Sequence, residues 1–287
     1  MITAYDHSRA RVGSVSREVA VSVLKRHNVR VSGGPGRTML FAHGYGCDQN
    51  MWRFIAPAFE SDFRVALFDY VGMGKSDFSA YDPVKYARLD GYADDLLDVC
   101  RELGVKGGVF VGHSVSSIIG ILAAEREPDV FAELVLVGPS PCYMNDGEYR
   151  GGFTRAEIEE LLEFLDSNYL GWSSTMAPVI MGQTGRPELA DELRESFCRT
   201  HPLIARQFAR VTFLSDNRSD LERVRQRALV IQCAQDALAP VSVGEYVHRR
   251  IPRSEFALLD TSGHCPHMTA PTETIAAIKA FLKAAGP

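Results

Sequence analysis

The sequence predicts an α/β fold: one mostly parallel sheet with helices on both faces, interrupted by an inserted four-helix cap. Three observations predict it. Short apolar runs alternate with helical patterns along most of the 287 residues. The interval 143–220 breaks that alternation and shows helical faces only. One apolar run, 108–111, passes through Gly112-His113-Ser114-Val115-Ser116 straight into a helix.

Taken in order, residues 1–20 mix Asp6, His7, Arg9, Arg11, Arg17 and Glu18 with small residues and read as a loose N-terminal arm. They lack the apolar centre of a signal peptide, so the expected location is cytoplasmic. Residues 21–31 hold two short strand-like runs, closed by a turn at Gly33, Gly34, Pro35 and Gly36. Residues 38–42 are apolar almost throughout, as a strand covered on both faces must be. They end in His43-Gly44-Tyr45-Gly46. Residues 49–59 read as a helix and 64–68 as the next strand. Over 89–103, Leu89, Tyr92, Leu96, Val99, Cys100 and Leu103 share one helical face. Residues 115–126 form a mostly apolar helix, and 133–137 a further strand.

In the interval 143–220, Ile158, Leu161, Leu162, Leu165 and Tyr169 make one apolar face. Leu189, Leu193 and Phe197 make a second, and Ile204, Phe208 and Val211 a third. Four helices here would cap the sheet's C-terminal edge, where open α/β sheets bind ligands. Strand patterns resume at 228–233 and 255–259, and a last helix carries Ile275, Ile278, Phe281 and Leu282. The core is therefore expected to comprise 21–142 and 221–287.

Composition excludes several classes. The chain is 46% hydrophobic and 23% charged, with net charge −5 and no basic stripe, so a nucleic-acid partner is not expected. No apolar run approaches the roughly 20 residues that span a bilayer, so no membrane partner is expected either. Six scattered cysteines without a C-x-x-C pair read as free thiols.

The chemistry concentrates at Ser114. A strand that turns sharply into a helix, with small residues beside the serine, exposes a hydroxyl at a helix N-terminus. Ser116 stands where the G-x-S-x-G pattern has its second glycine. Such a serine needs a base. His264, after Gly263 in the loop before the last helix, is the candidate, and His267 is its competitor. The pair spells H-x-x-H, but no third ligand of suitable spacing lies near in sequence, so no metal is expected. Asp236, just past the strand 228–233, is the acid that would orient His264. The N–H groups of Val115 and Tyr45 are the oxyanion-hole candidates, since Gly44 and Gly46 free the loop around Tyr45 to turn its amides inward. Gly74-Lys75-Ser76 lacks the earlier glycine of a phosphate loop, because Asp69 stands there. Gly44-x-Gly46 lacks the third glycine of a dinucleotide site. No cofactor is expected.

Long motifs then carry a resemblance: HGYGCDQ at 43–49, FDYVGMGKS at 68–76, GHSVS at 112–116, VGPSPCY at 137–143 and GHCPHM at 263–268. The chain resembles the RsbQ-like α/β-hydrolases, which include bacterial stress-signalling hydrolases and the plant strigolactone and karrikin receptors. The resemblance implies an α/β-hydrolase fold with a helical cap over an apolar pocket, and the same triad of Ser114, Asp236 and His264. It implies hydrolysis of a small hydrophobic ester or lactone through an acyl-serine. It also implies an alternative, a signalling accessory that binds such a molecule together with a PAS-domain phosphatase. Tyr45 replaces the family's usual phenylalanine. Phe153, Trp172, Val179 and Phe213 are the expected pocket residues.

Overall fold

The computed structural model describes residues 22–182 and 185–284. The N-terminal arm expected at 1–20 lies outside the described residues.

Seven strands form one sheet in the order β1-β3-β2-β4-β5-β6-β7. They are β1 (Arg30–Gly33), β2 (Thr38–Ala42), β3 (Arg64–Phe68), β4 (Gly108–His113), β5 (Phe131–Val137), β6 (Arg227–Gln235) and β7 (Ser254–Ser262). All neighbours run parallel except β1, which pairs antiparallel with β3 at the edge. Strand residues alternate between two cores. Met39, Phe41, Val109, Val111, Val135 and Val137 face one. Leu40, Ala42, Phe110, Leu134 and Leu136 face the other. Helices α2 (Leu89–Leu103), α3 (Val115–Arg126), α8 (Val241–Arg250) and α10 (Pro271–Lys283) cover the sheet, and α9 (Pro266–Thr269) is a single turn.

The first predicted strand run is instead a helical turn, α1 (Val23–Arg26). The Ser22 hydroxyl accepts from the Lys25 N–H and diverts this segment from extended structure. The helix expected at 49–59 is two 3₁₀ turns, Gln49–Trp52 and Ala56–Phe59. Pro57 is the cause, since it lacks an N–H and disfavours helical geometry in the residue before it.

Four helices lie between β5 and β6: α4 (Arg155–Ser167), α5 (Tyr169–Met181), α6 (Pro187–Arg199) and α7 (Pro202–Leu214). A capping box between Thr154 and Glu157 starts α4. Arg53 donates twice to the Glu192 carboxylate, at 2.8 and 2.6 Å, and ties α6 to the core. Ser196 Oγ donates to the Gly46 carbonyl at 2.8 Å nearby.

β3 and β4 flank β2 on opposite sides, so the chain order reverses beside β2. A crevice opens at the C-terminal ends of strands at such a reversal. The segments leaving β2 and β4 there are His43–Tyr45 and Ser114.

Candidate active site

β4 delivers its last residue, His113, into a turn that a helix must follow at once. Ser114 adopts φ 57°, ψ −124°, one of only two non-glycine positive φ values among the described residues. This strained geometry lifts the hydroxyl clear of the backbone. It requires Gly112, since a Cβ there would lie 2.8 Å from the Ser116 backbone. Ser116 does more than stay small: its hydroxyl donates to the His43 carbonyl and lies 2.9 Å from the Tyr70 hydroxyl. It joins the β4 elbow to the loop after β2.

The three side chains singled out from sequence meet. His264 Nε2 lies 2.8 Å from Ser114 Oγ, across 150 residues of chain. His264 Nδ1 lies 2.7 Å from Asp236 Oδ2. The other Asp236 oxygen accepts the N–H groups of Leu238 and Ala239 at 2.9 and 3.1 Å. Burial alone would push the Asp236 carboxyl up. The adjoining imidazole and these two amides outweigh it and hold the carboxyl below its usual range, so it stays ionised. An ionised acceptor at Nδ1 keeps the proton there and leaves Nε2 free to take one from Ser114.

Gly263 positions the imidazole. Its φ is +99°, and a Cβ would stand 2.2 Å from the Met181 carbonyl oxygen at the end of α5. The His264 N–H donates to the Ile180 carbonyl at 2.7 Å. The inserted helices thereby hold the histidine loop directly. Gly263→Ala is expected to lower stability by about 1–3 kcal/mol and to cut turnover sharply. Thermal unfolding and ester turnover measured side by side check this, and a fully active, equally stable variant would refute it.

The two proposed oxyanion amides flank the crevice. Val115 opens α3, so its N–H has no partner within the helix. Tyr45 lines the same cavity as Ser114. His43 Nε2 accepts from the Tyr70 N–H at 3.2 Å, which leaves Nδ1–H to donate to the Gly44 carbonyl at 2.9 Å. That bond orients the loop before Tyr45.

A narrow cavity of about 30 Å³ opens at Ser114. Trp172 and Phe213 line it, with Met176, Ile180, Leu193 and Phe197. Phe153 and Val179 do not. Phe153 is tied to the segment behind Tyr143, its N–H donating to the Tyr143 carbonyl at 3.1 Å. Val179 is 44% exposed, while α5 turns Trp172, Met176 and Ile180, spaced four apart, to the cavity. Sequence reasoning missed Tyr143, whose hydroxyl lies 3.4 Å from Ser114 Oγ. Burial pushes its pKa up to about 12, so it remains a donor. Its only sequence signal was its place in VGPSPCY. Tyr45 Oη, Trp172 Nε1 and Thr212 Oγ1, on three lining residues, are buried without a partner among the described residues.

Asp69 explains why Gly74-Lys75-Ser76 is no phosphate loop. Its carboxylate accepts the N–H groups of Gln49 and Lys75 at 2.8 and 2.9 Å and occupies the turn itself.

Comparisons with known proteins give the family. Residues 39–278 match the model of the alpha/beta hydrolase family. The chain belongs to that family. It is 38% identical to the Strigolactone esterase D14 of Arabidopsis thaliana, covering 93% of this chain and 98% of that one. It is 37% identical to the Strigolactone esterase RMS3 of Pisum sativum, covering 87% and 94%. A solved hydrolase from Oleispira antarctica, olei00960, is 43% identical, covers 91% of this chain and 96% of its own, and superposes with a TM-score of 0.89. These relatives place the chain among the carboxylic ester hydrolases of the alpha/beta hydrolase family, close to the strigolactone and karrikin receptor hydrolases.

Buried histidines set an acid limit on this fold. His27, His113 and His267 are buried, and burial lowers the pKa of each, that of His113 to about 3. The unfolded chain takes up protons near pH 6.5 that the folded chain refuses. Stability is therefore complete above about pH 6.5 and falls as pH drops below it. Each such histidine adds about 1.4 kcal/mol per pH unit to the fall. Urea unfolding at pH 7.5 and 5.0 is expected to show a lower midpoint at about pH 5.0 with an unchanged m-value. Equal midpoints would contradict it.

Proposed function

We propose that the protein hydrolyses small hydrophobic carboxylic esters or lactones through an acyl intermediate on Ser114. The carrying observation is the continuous hydrogen-bonded path from Asp236 through His264 to Ser114 at 2.7 and 2.8 Å. In this reading Ser114 Oγ attacks the ester carbonyl and His264 Nε2 takes its proton. The imidazolium formed beside Asp236 then protonates the leaving alkoxide. The N–H groups of Val115 and Tyr45 receive the oxyanion, each contributing about 10²–10³ in rate. Water, activated by the same imidazole, releases the acid. Residues 143–220 act as the cap that closes the apolar site. The unpartnered polar atoms of Tyr45, Trp172 and Thr212 favour a substrate with a further acceptor oxygen, as a lactone carries. Brief incubation with p-nitrophenyl acetate, then mass spectrometry of the digested protein, tests this reading. One acetyl group on the peptide containing Ser114 is expected. Acetyl on another residue, or no ester cleaved across a panel, would defeat it.

A second reading rests on relatives named as receptors, such as the Karrikin insensitive 2 receptor CA of Petunia hybrida at 35% identity. Here binding of the small molecule is the main act, turnover is slow, and a PAS-domain phosphatase is the partner. A cytoplasmic location belongs to either reading. Among the described residues no helix is long and apolar enough to cross a membrane. Turnover separates the readings, because a metabolic esterase reaches about 1–10³ s⁻¹ on some substrate.

A further inference from the structure

The H-x-x-H spacing at 264–267 lacks a third ligand only along the chain. In space, His113 at the end of β4 comes against Cys265 and His267. The ligand atoms of these three residues all lie within 4.8 Å of one another, and all three residues are buried. A point central to such a triangle lies within about 2.8 Å of each corner. Metal–donor bonds of about 2.0–2.3 Å are therefore reached by small side-chain rotations. Cys265 Sγ already sits 3.8 Å from His113 Nε2.

His267 carries the second, independent observation. It is 0% exposed, and among the described residues neither of its ring nitrogens has a hydrogen-bond partner. Its ring packs against those of Trp52 and His113, each with its centroid 4.5 Å away. Buried imidazoles ordinarily have a partner, and one with two orphaned nitrogens calls for a ligand.

We propose that His113, Cys265 and His267 form a site for one soft monovalent cation, Cu(I), beneath the loop that carries His264. The donor set decides the ion. A thiolate with two imidazoles suits copper, and thiolate selects soft ions. One thiolate and one Cu(I) sum to zero charge, whereas a divalent ion would leave a net positive charge in a dry interior. His113 and Cys265 both line the cavity at Ser114, which gives the ion its way in. On binding, the Cys265 thiol releases its proton to solvent as the copper–sulfur bond forms. His113 Nε2, which donates to the His264 carbonyl at 2.9 Å, gives up that bond as its proton moves to the unpartnered Nδ1. Copper stays Cu(I) throughout, so no oxidant or reductant is required.

The test is an anaerobic titration of the reduced, full-length protein with Cu(I) against bicinchoninate, a coloured competing chelator. The wild type is expected to withhold one equivalent. Cys198→Ser, which removes the exposed thiol, should withhold the same. Cys265→Ser and His267→Gln should each bind at least about tenfold more weakly. X-ray absorption at the copper edge of the wild-type complex should show one sulfur and two imidazole neighbours, a reading that survives if His267→Gln does not fold. No withheld equivalent in the wild type would overturn the proposal. Undiminished binding by Cys265→Ser, a copper bound by sulfur alone, or uptake of one Zn²⁺ with no Cu(I) would do so equally.

Discussion

Replacing Ser114 with alanine is expected to lower ester turnover by about 10⁴–10⁶-fold while leaving the protein folded. The size of the loss follows from what remains. Without Oγ no acyl-enzyme forms, and only the oxyanion donors and the cavity still act on a bound ester. The fold should survive because alanine keeps the Cβ, so the strain at φ 57° is unchanged. What is lost is the bond to His264 Nε2 and the longer approach to Tyr143. A net hydrogen bond is worth about 1 kcal/mol, so the thermal midpoint should shift by a few degrees only. The measurement is initial rate on a p-nitrophenyl ester, with far-UV circular dichroism as the folding check. A folded variant retaining a tenth of the wild-type rate would remove Ser114 from the mechanism. A folded, inactive variant that still binds the wild-type ligand would keep the receptor reading open as well.

The second large effect is expected at Asp236. Asparagine has nearly the same shape, and its Oδ1 can still accept the N–H groups of Leu238 and Ala239. Its amide group then faces His264 Nδ1 as a donor. The imidazole must answer as an acceptor there and carry its proton on Nε2, pointing at Ser114. In that tautomer it cannot take the serine proton. The expected loss in kcat is about 10⁴-fold, with KM changed far less, because the cavity wall is intact. Stability should fall by no more than about 1–2 kcal/mol, the charge-assisted part of the bonds around the carboxylate. Steady-state kinetics of Asp236→Asn and Asp236→Ala, at matched folding, check this. A kcat within about tenfold of wild type for either would show that His264 is oriented by something else.

Contacts from the inserted helices explain why such substitutions act locally. The His264 loop is held at its N–H by Ile180 of α5, while Arg53 and Glu192 fasten α6 to the core. The His264 imidazole is thus held in place partly by an inserted helix.

Much of this was legible in the residues alone. Apolar runs marked β2 to β6, because strands covered on both faces are apolar nearly throughout; β7, at the sheet edge with only Leu259 buried, still carried a short run. The elbow at 112–116 was legible because strand, turn and helix are contiguous, and short-range sterics decide such a turn. The order serine, aspartate, histidine followed from each lying just past a strand pattern, which puts all three on one edge of a parallel sheet. The arrangement across the sheet was not legible. Periodicity tells which face of α5 is buried but not what it is buried against, so it could not tell that Trp172 and Phe213 line the cavity while Val179 and Phe153 do not. Tyr143 beside Ser114, the second role of Ser116, the dependence of Gly263 on the Met181 carbonyl and the approach of His113 to Cys265 and His267 all join segments distant in the chain. Local sequence determined which elements form and which of their ends carry reactive groups, since those depend on neighbours a few residues away. Only tertiary packing decided the distances between those groups, because it depends on how side chains of separate elements fill the same space.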